Sequence, residues 1–432
     1  MDWEQFRIGG DGNQVDVPTE GEATFAKSTK RAPFAAGILY RGSYENYADG
    51  VCAAVRKHST ALSNTGIPVH LQSIDRTVVV NGIVEQAYYA KLHPEVQEEV
   101  KDITEVQFEK TLLVIHHLVP TPKNLREALF PRMMAAVDPD AVCGYQASSV
   151  IYAAFEGDRI DRQTVGLLNM ASEIWVPCLQ NKKILEDCNV RKPVVWIPHP
   201  HNDDGIVGSK KAHGGPFRFL HVGKWEPRKA QHEAIGSFLN EFSPSDDCVF
   251  ILKTSQCSNW KDYPIDAEDS LRYWCNDTTV RERWTPEEIV RKVLLMPSKM
   301  MPRADLIRLF SECDCYLSTG RAEGFDLPAF DAWLAGLGII GAGMGGAEDF
   351  VGEGCWHLNS ERVSKCHPSY WYLSHANWSD YSPSELGAAM RVAFDARGSW
   401  KTFHRDVSHY SRENVGKKMR SRVDEICSNL GY

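Results

Sequence analysis

Short apolar runs alternate with amphipathic, helix-like stretches through the first half of the chain. The apolar runs, each typical of a buried strand, lie at residues 35–40, 66–71, 111–115, 173–177 and 193–198. Helix-like stretches at 44–58 and 180–188 stand among them. Continuous apolar strands separated by helices favour a parallel sheet that is covered on both faces. We therefore predict an α/β domain over residues 34–205.

The alternation begins again after residues 199–216, a segment rich in His, Gly, Asp and Lys that is typical of an interdomain linker. The predicted strands of this second series lie at residues 217–223, 249–253, 293–296, 315–318 and 338–341. A long insertion at 256–291 separates two of them, and a helix-like stretch at 411–430 closes the chain. We predict a second α/β domain over residues 206–410. Two doubly wound sheets in succession predict a ligand site in the cleft beyond the carboxyl ends of their strands.

The composition agrees with a folded two-domain protein and disfavours one class of partner, nucleic acid. The chain has 432 residues, too many for one ordinary core, and its 43% hydrophobic content argues against disorder. A formal net charge of −9 without a long Lys/Arg run disfavours nucleic acid as a partner. No signal peptide or transmembrane segment is expected, so we predict a cytoplasmic location, with peripheral contact to a membrane left open. Residues 1–33 are polar and are expected to form a flexible arm or an added edge element.

The twelve cysteines include no Cys-x-x-Cys pair, which predicts reduced thiols rather than a metal or disulfide framework.

Candidate chemistry stands at the ends of strands in the second domain. The first segment is GKWEPRKA, in which Gly223 allows a tight turn and Lys224, Arg228 and Lys229 offer positive charge to a diphosphate. By itself, a solvated basic turn explains this segment equally well.

The second segment, TGRAEGFDLPAFD, directly follows the predicted strand at 315–318. Its Pro328 suits the first turn of a helix, whose free N–H groups suit a phosphate. Glu323 and Asp331 are eight residues apart, about two helical turns, so both are able to face one ligand. A capped helix with solvated carboxylates is the alternative. A third, glycine-rich segment, GAGMGGAE at 341–348, lacks both the Walker lysine and the dinucleotide fingerprint.

The three segments in this order resemble the donor domain of the retaining GT-B glycosyltransferases, in particular the GT4 family (glycosyl transferases group 1). That family carries G-[RK]-x-x-x-x-K-[GA], E-G-F-G-L-P-x-x-E and a glycine turn, which compare with GKWEPRKA, EGFDLPAFD and GMGGAEDF. In the first half of the chain, FEGDRI, LNMASEIWVP and VVWIPHPHND resemble further family segments. The resemblance covers about residues 35–430, with gaps at 75–105 and 256–291. It implies a GT-B fold, in which two Rossmann-like domains face each other across a cleft and the helix at 411–432 crosses back to the first domain.

The resemblance also implies roles for individual residues. The implied donor-binding residues are Gly42, Gly223, Lys224, Arg228, Lys229, Lys253, Glu323, Gly324, Phe325, Asp326, Leu327 and Asp331. Lys224 and Lys229 would hold the diphosphate, Glu323 the sugar hydroxyls, and Asp331 the ribose. The implied catalytic residues are His116, His117, Glu323 and Lys229, and the acceptor-side residues are Tyr44, Glu156 and Asp158.

Three positions depart from the family pattern. Asp331 stands where the family has glutamate, which keeps the carboxylate but shortens its reach. Asp326 and Pro200 each replace a common glycine.

The implied activity is transfer of a hexose-type sugar from a nucleotide-diphosphate sugar to an acceptor hydroxyl, with retention and with neither cofactor nor metal. Asp138, Pro139 and Asp140 spell the Asp-x-Asp of metal-dependent transferases, but we interpret them as a turn. His116 and His117 are adjacent on a strand and point opposite ways, so one site histidine and one structural histidine are expected. The acceptor stays open among a glycan, a lipid-linked sugar, a small molecule and a modified DNA base.

Other functions on this fold remain alternatives. A viral-type glucosyltransferase acting on DNA bases would need a basic groove in the first domain, which the pI of about 5.9 disfavours. A sugar phosphorylase would need a phosphate or pyridoxal site, and no lysine motif for one stands out. A non-catalytic nucleotide-sugar-binding module would tolerate the loss of Glu323 or Lys229, and both are present.

Overall fold

The first half of the chain forms a parallel six-stranded sheet in the computed structural model, with strand order β2-β1-β3-β4-β5-β6. Its strands are β1 Phe34–Gly42, β2 Val69–Gln72, β3 Phe108–His117, β4 Ser148–Tyr152, β5 Glu173–Val176 and β6 Val194–Trp196. The helices between them are α1 Gly50–Ser63, α2 Pro94–Thr104, α3 Pro122–Leu129, α4 Arg162–Leu168 and α5 Leu179–Asp187. The carboxyl-terminal parts of the inner strands are buried and mostly apolar, as helices on both faces of a parallel sheet require.

The second half repeats this plan with strand order β12-β11-β10-β7-β8-β9, again all parallel. The strands are β7 Phe217–Lys224, β8 Cys248–Ser255, β9 Val293–Met296, β10 Cys315–Ser318, β11 Gly338–Ala342 and β12 Cys355–Leu358. An antiparallel hairpin, β13 Arg362–Lys365 and β14 Asn377–Asp380, lies beside them. The helices are α6 Gln231–Glu241, α7 Ala267–Asn276, α8 Thr278–Arg281, α9 Pro286–Lys292, α10 Arg303–Ser311, α11 Leu327–Ala335, α12 Pro383–Asp395 and α13 Arg412–Asn429.

The structure describes residues 34–46, 49–74, 92–129, 148–255, 264, 266–296, 301–342, 345–351, 355–358, 362–367, 373–398 and 406–432. The arm at 1–33, the turn expected at Asp138, Pro139 and Asp140, and part of the third glycine-rich segment lie outside these residues. None of the helices in the described parts of the chain is both long and apolar enough to cross a membrane. The described cysteines are free, and most are buried.

The last helix returns to the first domain, as expected. Val415, Met419 and Val423 of α13 are fully buried in the same apolar cluster as the strands of the first sheet. Arg422 clasps the buried carboxylate of Glu173 on β5, with Nε 2.9 Å from Oε1 and Nη2 bonded to Oε2. Apolar burial and a two-point ion pair together hold α13 on the first domain.

Several boundaries differ from the sequence prediction for local reasons. Helix α1 begins at Gly50 rather than near residue 44, because the Asp49 side chain caps it by accepting from the amides of Val51 and Cys52. Residues 266–291 of the insertion contain three short helices, and Trp284, between α8 and α9, is buried and donates to the Leu239 carbonyl. Strands β4, β12, β13 and β14 were not among the predicted strands.

The order of strands reverses once in each sheet. In the first sheet this switch lies between β1 and β3, which end at Gly42 and His117. In the second sheet it lies between β7 and β10, which end at Lys224 and Ser318. Ligands of open α/β sheets bind beyond the carboxyl ends of strands at such switch points.

Candidate functional site

A buried cluster of charges lies at the switch point of the second sheet. Lys229 Nζ is 2.6 Å from Glu323 Oε1, and Arg228 Nη1 is 3.1 Å from Glu323 Oε2. Lys229 follows β7 and Glu323 follows β10, so the neighbouring strand ends bring them together. Burial opposes ionisation of Glu323, but Arg228 and Lys229 outweigh it and lower its pKa. The site therefore presents an ionised carboxylate beside two cations.

Arg228 connects this cluster to the first domain. Its Nη1 lies 3.2 Å from Oε1 of Glu156, which follows β4, and also donates to the Ala322 carbonyl at 2.7 Å. Its Nη2 lies 2.7 Å from Glu226 Oε1. Burial raises the pKa of Glu156, an effect that Arg228 opposes and Glu323 reinforces. Two predicted site residues, Glu156 of the first domain and Glu323 of the second, thus pair with the same guanidinium group.

Lys224 reaches across the cleft in a second place. Its ammonium lies 2.7 Å from Oδ2 of Asp49, the residue that caps α1. The Lys224 side chain is 61% exposed, so this pair lies at the mouth of the cleft rather than in its floor.

The backbone conformation of Asp326 accounts for this residue standing where the resembled pattern has glycine. It adopts φ +64°, the left-handed conformation that glycine, asparagine and aspartate tolerate best. Its side chain caps α11 by accepting from the amide of Ala329 at 3.3 Å, and it accepts a further hydrogen bond from Ser318 Oγ. Glycine would adopt this conformation with less strain, but it has no side chain to cap the helix. The Asp326 carboxylate supplies that cap.

The residues around Asp326 lie against the first domain. A Cβ at Gly324 would lie 2.6 Å from Cβ of Ala154, so only glycine permits this approach. The Phe325 ring contacts the His199 ring edge-on at 4.7 Å between centroids. Leu327 Cδ1 lies 3.4 Å from where a Cβ of Gly50 would stand. The start of α11 is therefore enclosed between the two domains.

Asp331 is held by an arginine that the motifs did not reveal. Arg303 at the start of α10 grips it with two bonds, Nη1 to Oδ2 at 2.5 Å and Nη2 to Oδ1 at 3.0 Å. The same guanidinium donates through Nε to Asp204 Oδ2 at 2.8 Å. Asp204 lies in the interdomain segment, so Asp331 joins a network that the shorter side chain alone would not predict.

The two adjacent histidines are both buried but have different neighbours. His117 Nδ1 is 3.0 Å from the Tyr40 hydroxyl, and its ring packs 4.2 Å from that of Tyr152. His116 is also buried, with Arg41 as its charged neighbour. Burial lowers the pKa of both, that of His116 to about 3. His117 thus belongs to a buried aromatic cluster.

The His117 cluster leads toward the other domain through residues that the sequence motifs did not single out. His58 on α1 packs 5.4 Å from the His117 ring and 5.0 Å from the His199 ring, and His199 contacts Phe325.

Other predicted residues lie outside the charge cluster. Both carboxylate oxygens of Asp158 are engaged, Oδ1 by the Asn377 amide and Oδ2 by Asn377 Nδ2, each at 2.8 Å. Asp158 therefore joins its loop to the β13–β14 hairpin. Tyr44 is buried, and its carbonyl accepts from Arg56 at 2.7 Å. A Cβ at Gly42 would lie 2.7 Å from the Val55 side chain, so this glycine permits close packing. Lys253 is buried on β8, the strand that pairs with β7.

In the described parts of the chain, no group of three or more His, Cys, Asp or Glu side chains is arranged to hold a metal ion.

Solved structures share this two-domain architecture over nearly its full length. A glycosyltransferase from Rickettsia africae superposes with a TM-score of 0.57 at 12% identity, covering 92% of this chain and 100% of that one. Sucrose-phosphate synthase from Thermosynechococcus elongatus gives 0.54 at 12%, covering 91% and 100%. HepE from Anabaena, solved in complex with UDP, gives 0.51 at 15%, covering 91% and 98%. The fold is GT-B. The sequence matches no protein-family model and no curated protein.

Proposed function

We propose that this chain is a glycosyltransferase that moves a hexose-type sugar from a nucleotide-diphosphate sugar to an acceptor hydroxyl, with retention of configuration. The observation that carries this proposal is the cluster of Lys229, Arg228 and Glu323 at the switch point of the second sheet. The proteins of like fold support it, since HepE has been solved with UDP and with UDP and glucose.

The two cations of the cluster fit the chemistry of a departing diphosphate. Negative charge grows on the leaving group as the bond to the sugar breaks, and preorganised cations stabilise that charge most where water is excluded. Lys229 and Arg228 have only 13% and 10% of their side chains exposed. We propose that they neutralise the diphosphate without a metal ion, with Lys224 adding charge at the mouth of the cleft.

Glu323 fits a role in holding the sugar. Because its pKa is lowered, it is ionised near neutral pH and accepts hydrogen bonds from hydroxyl groups. Its bonds to Lys229 and Arg228 fix the carboxylate before the donor arrives, which is the kind of preorganisation that favours catalysis. Asp331, fixed by Arg303, would in the same way accept from the ribose hydroxyls.

The acceptor would enter from the first domain, where Glu156 faces Arg228 across the cleft. We propose that the acceptor hydroxyl attacks the face of the sugar from which the diphosphate leaves. The proton of that hydroxyl would pass to the departing diphosphate, so the new bond forms on the same face as the old one.

A donor panel tests the proposal. UDP-glucose, UDP-galactose, GDP-mannose and ADP-glucose are titrated calorimetrically into the wild type, Glu323→Ala, Lys229→Ala and the control Lys101→Ala. Lys101 is an exposed helix residue whose side chain is 52% accessible. We expect the wild type to bind and slowly hydrolyse one donor. Each of the two site variants should lose about 10²–10³-fold in hydrolysis, the usual effect of removing one preorganised electrostatic contact, while Lys101→Ala changes neither quantity.

Two results would contradict the proposal. If the wild type binds none of a widened set of nucleotide sugars, the donor site is wrong, and a phosphorylase assay with sugar phosphates becomes the next test. If a donor binds and is hydrolysed equally by all four proteins, the cluster does not contact it. Hydrolysis repeated with EDTA tests the metal-independent part of the proposal, and the anomeric configuration of the product, read by NMR, tests retention.

A further inference from the structure

His221 on β7 has one ring nitrogen whose role is fixed by its partner. The residue is 2% exposed, and its Nδ1 lies 2.8 Å from the carbonyl oxygen of Leu317. A carbonyl oxygen only accepts hydrogen bonds, so Nδ1 carries the hydrogen. In the neutral ring, Nε2 is then left with a lone pair that needs a donor.

No described residue supplies that donor. Nε2 of His221 is buried and has no hydrogen-bond partner in the parts of the chain that the structure describes. Burial lowers the pKa of His221 to about 4, although the Leu317 carbonyl opposes the shift. The ring is therefore neutral near pH 7, and its Nε2 is an acceptor. A buried acceptor without a partner is uncommon and costs free energy, so it points to a bound group.

The unpaired nitrogen lies beside Gly223, near the end of β7. A Cβ added to Gly223 would stand 3.2 Å from His221 Nε2, 3.8 Å from Lys229 Cδ and 3.8 Å from Gln231 Nε2. Gln231 is itself fully buried and donates to the Lys224 carbonyl at 2.6 Å. His221 and Lys229 thus approach the same side of Gly223, and Lys229 pairs with Glu323 at the centre of the proposed donor site.

We propose that His221 Nε2 accepts a hydrogen bond from a hydroxyl group on the sugar of the donor, which makes His221 a specificity-determining residue. The proposal rests on the proposed function. Phosphate oxygens are acceptors and would repel a second acceptor, whereas a sugar hydroxyl supplies the missing hydrogen. Glu323 is unable to supply that hydrogen to Nε2, because an ionised carboxylate only accepts hydrogen bonds.

The test separates contact with the sugar from contact with the diphosphate. The nucleotide sugar that binds in the donor panel, its mono-deoxy analogues and the free nucleoside diphosphate are titrated into the wild type, His221→Phe and His221→Gln. We expect His221→Phe to weaken the nucleotide sugar by about 2- to 10-fold, the usual worth of one hydrogen bond, and to leave the free diphosphate unchanged. One deoxy analogue should bind wild type and His221→Phe equally, and His221→Gln, whose side-chain oxygen accepts, should restore part of the affinity.

Distinct outcomes overturn the inference. Unchanged affinity of His221→Phe for the nucleotide sugar would mean that an internal water satisfies Nε2. Equal weakening of the nucleotide sugar and the free diphosphate would place the contact at the phosphates or in the fold. An affinity that falls between pH 6 and 8 in the wild type but not in His221→Phe would show a charged imidazolium on a phosphate. If the wild type binds no nucleotide sugar, the proposed function fails and this inference with it.

Discussion

The ammonium nitrogen of Lys224 lies 2.7 Å from Oδ2 of Asp49, and the two residues belong to different domains. Arg228 forms a second such pair with Glu156. Two of the cations that we propose for the diphosphate are thus matched by carboxylates of the first domain. A diphosphate entering the cleft competes with those carboxylates for the same positive charge.

Asp49→Asn should therefore increase affinity for a nucleoside diphosphate. The amide oxygen still caps α1, so the helix keeps its first turn, while the competing negative charge is lost. An exposed ion pair is worth about 0.2–1 kcal/mol, which corresponds to a gain of about 1.4- to 5-fold in affinity. Calorimetric titration measures it, with Asp187→Asn as a control because Asp187 pairs with Lys183 on the surface of α5. Equal affinities of all three proteins would mean that Asp49 does not compete.

Asp326→Ala should lower the free energy of unfolding by about 2 kcal/mol, because it combines a left-handed alanine with a lost helix cap. Asp326→Asn should cost less than about 1 kcal/mol, since asparagine tolerates the same backbone and retains a capping oxygen. Urea unfolding followed by tryptophan fluorescence compares the two variants with the wild type. If alanine and asparagine were equally tolerated, neither backbone strain nor capping would explain this residue.

Arg422→Ala should destabilise the protein by about 3–5 kcal/mol, because it leaves the carboxylate of Glu173 buried without its cation. Lys417→Ala on the same helix is the matched control. Its pair with Glu413 is exposed and worth at most about 0.5 kcal/mol. Thermal unfolding should show a large loss for the first variant and almost none for the second. Similar losses would indicate that α13 is held by apolar packing alone.

The hydrogen bonds that the Asp158 carboxylate accepts from Asn377 should weaken in acid. Burial opposes ionisation of Asp158, but hydrogen bonds from Arg159 and Asn377 outweigh it and lower its pKa to about 2. An unfolded aspartate has a pKa of about 3.9. Because the folded value is lower, the stabilisation is fully present above pH 4 and is lost as pH falls through 2.

Asp158→Asn should thus reduce the free energy of unfolding by about 1–2 kcal/mol at pH 7, where charged hydrogen bonds are lost. The difference from wild type should shrink as pH falls from 4.5 to 2.5. Urea unfolding at several pH values measures it. A difference that stays constant over this range would mean that the charge of Asp158 does not hold the hairpin.

Local patterns in the sequence predicted much of the fold because each strand carries its own signal. The apolar runs at β9 and β10 match the observed strands residue for residue, because a short continuous apolar run predicts a strand. Strand β4 escaped because its five residues begin with two serines and offer only a short apolar run. The start of α1 was misplaced because a single capping aspartate, rather than apolar periodicity, determines it.

The candidate site was predicted in part for the same reason. Motifs at the ends of parallel strands meet at one edge of the sheet, and Lys229 and Glu323, each expected to contact the donor, lie together there. Arg303 carries no such signal, because it starts a helix outside every motif and reaches Asp331 only in the folded domain. His221 was likewise invisible, since its unpaired nitrogen depends on the Leu317 carbonyl, 96 residues away.

The sequence by itself determined most of the strands, the two-domain plan and the placing of cations and carboxylates at strand ends, because hydrophobic periodicity and turn chemistry act over a few residues. Only the tertiary structure decided which charges pair, which histidine nitrogen lacks a partner, and that Asp158 accepts from Asn377, 219 residues away. Those relationships join segments that are far apart in the chain, and the distance between two side chains in space is not a property of either segment alone.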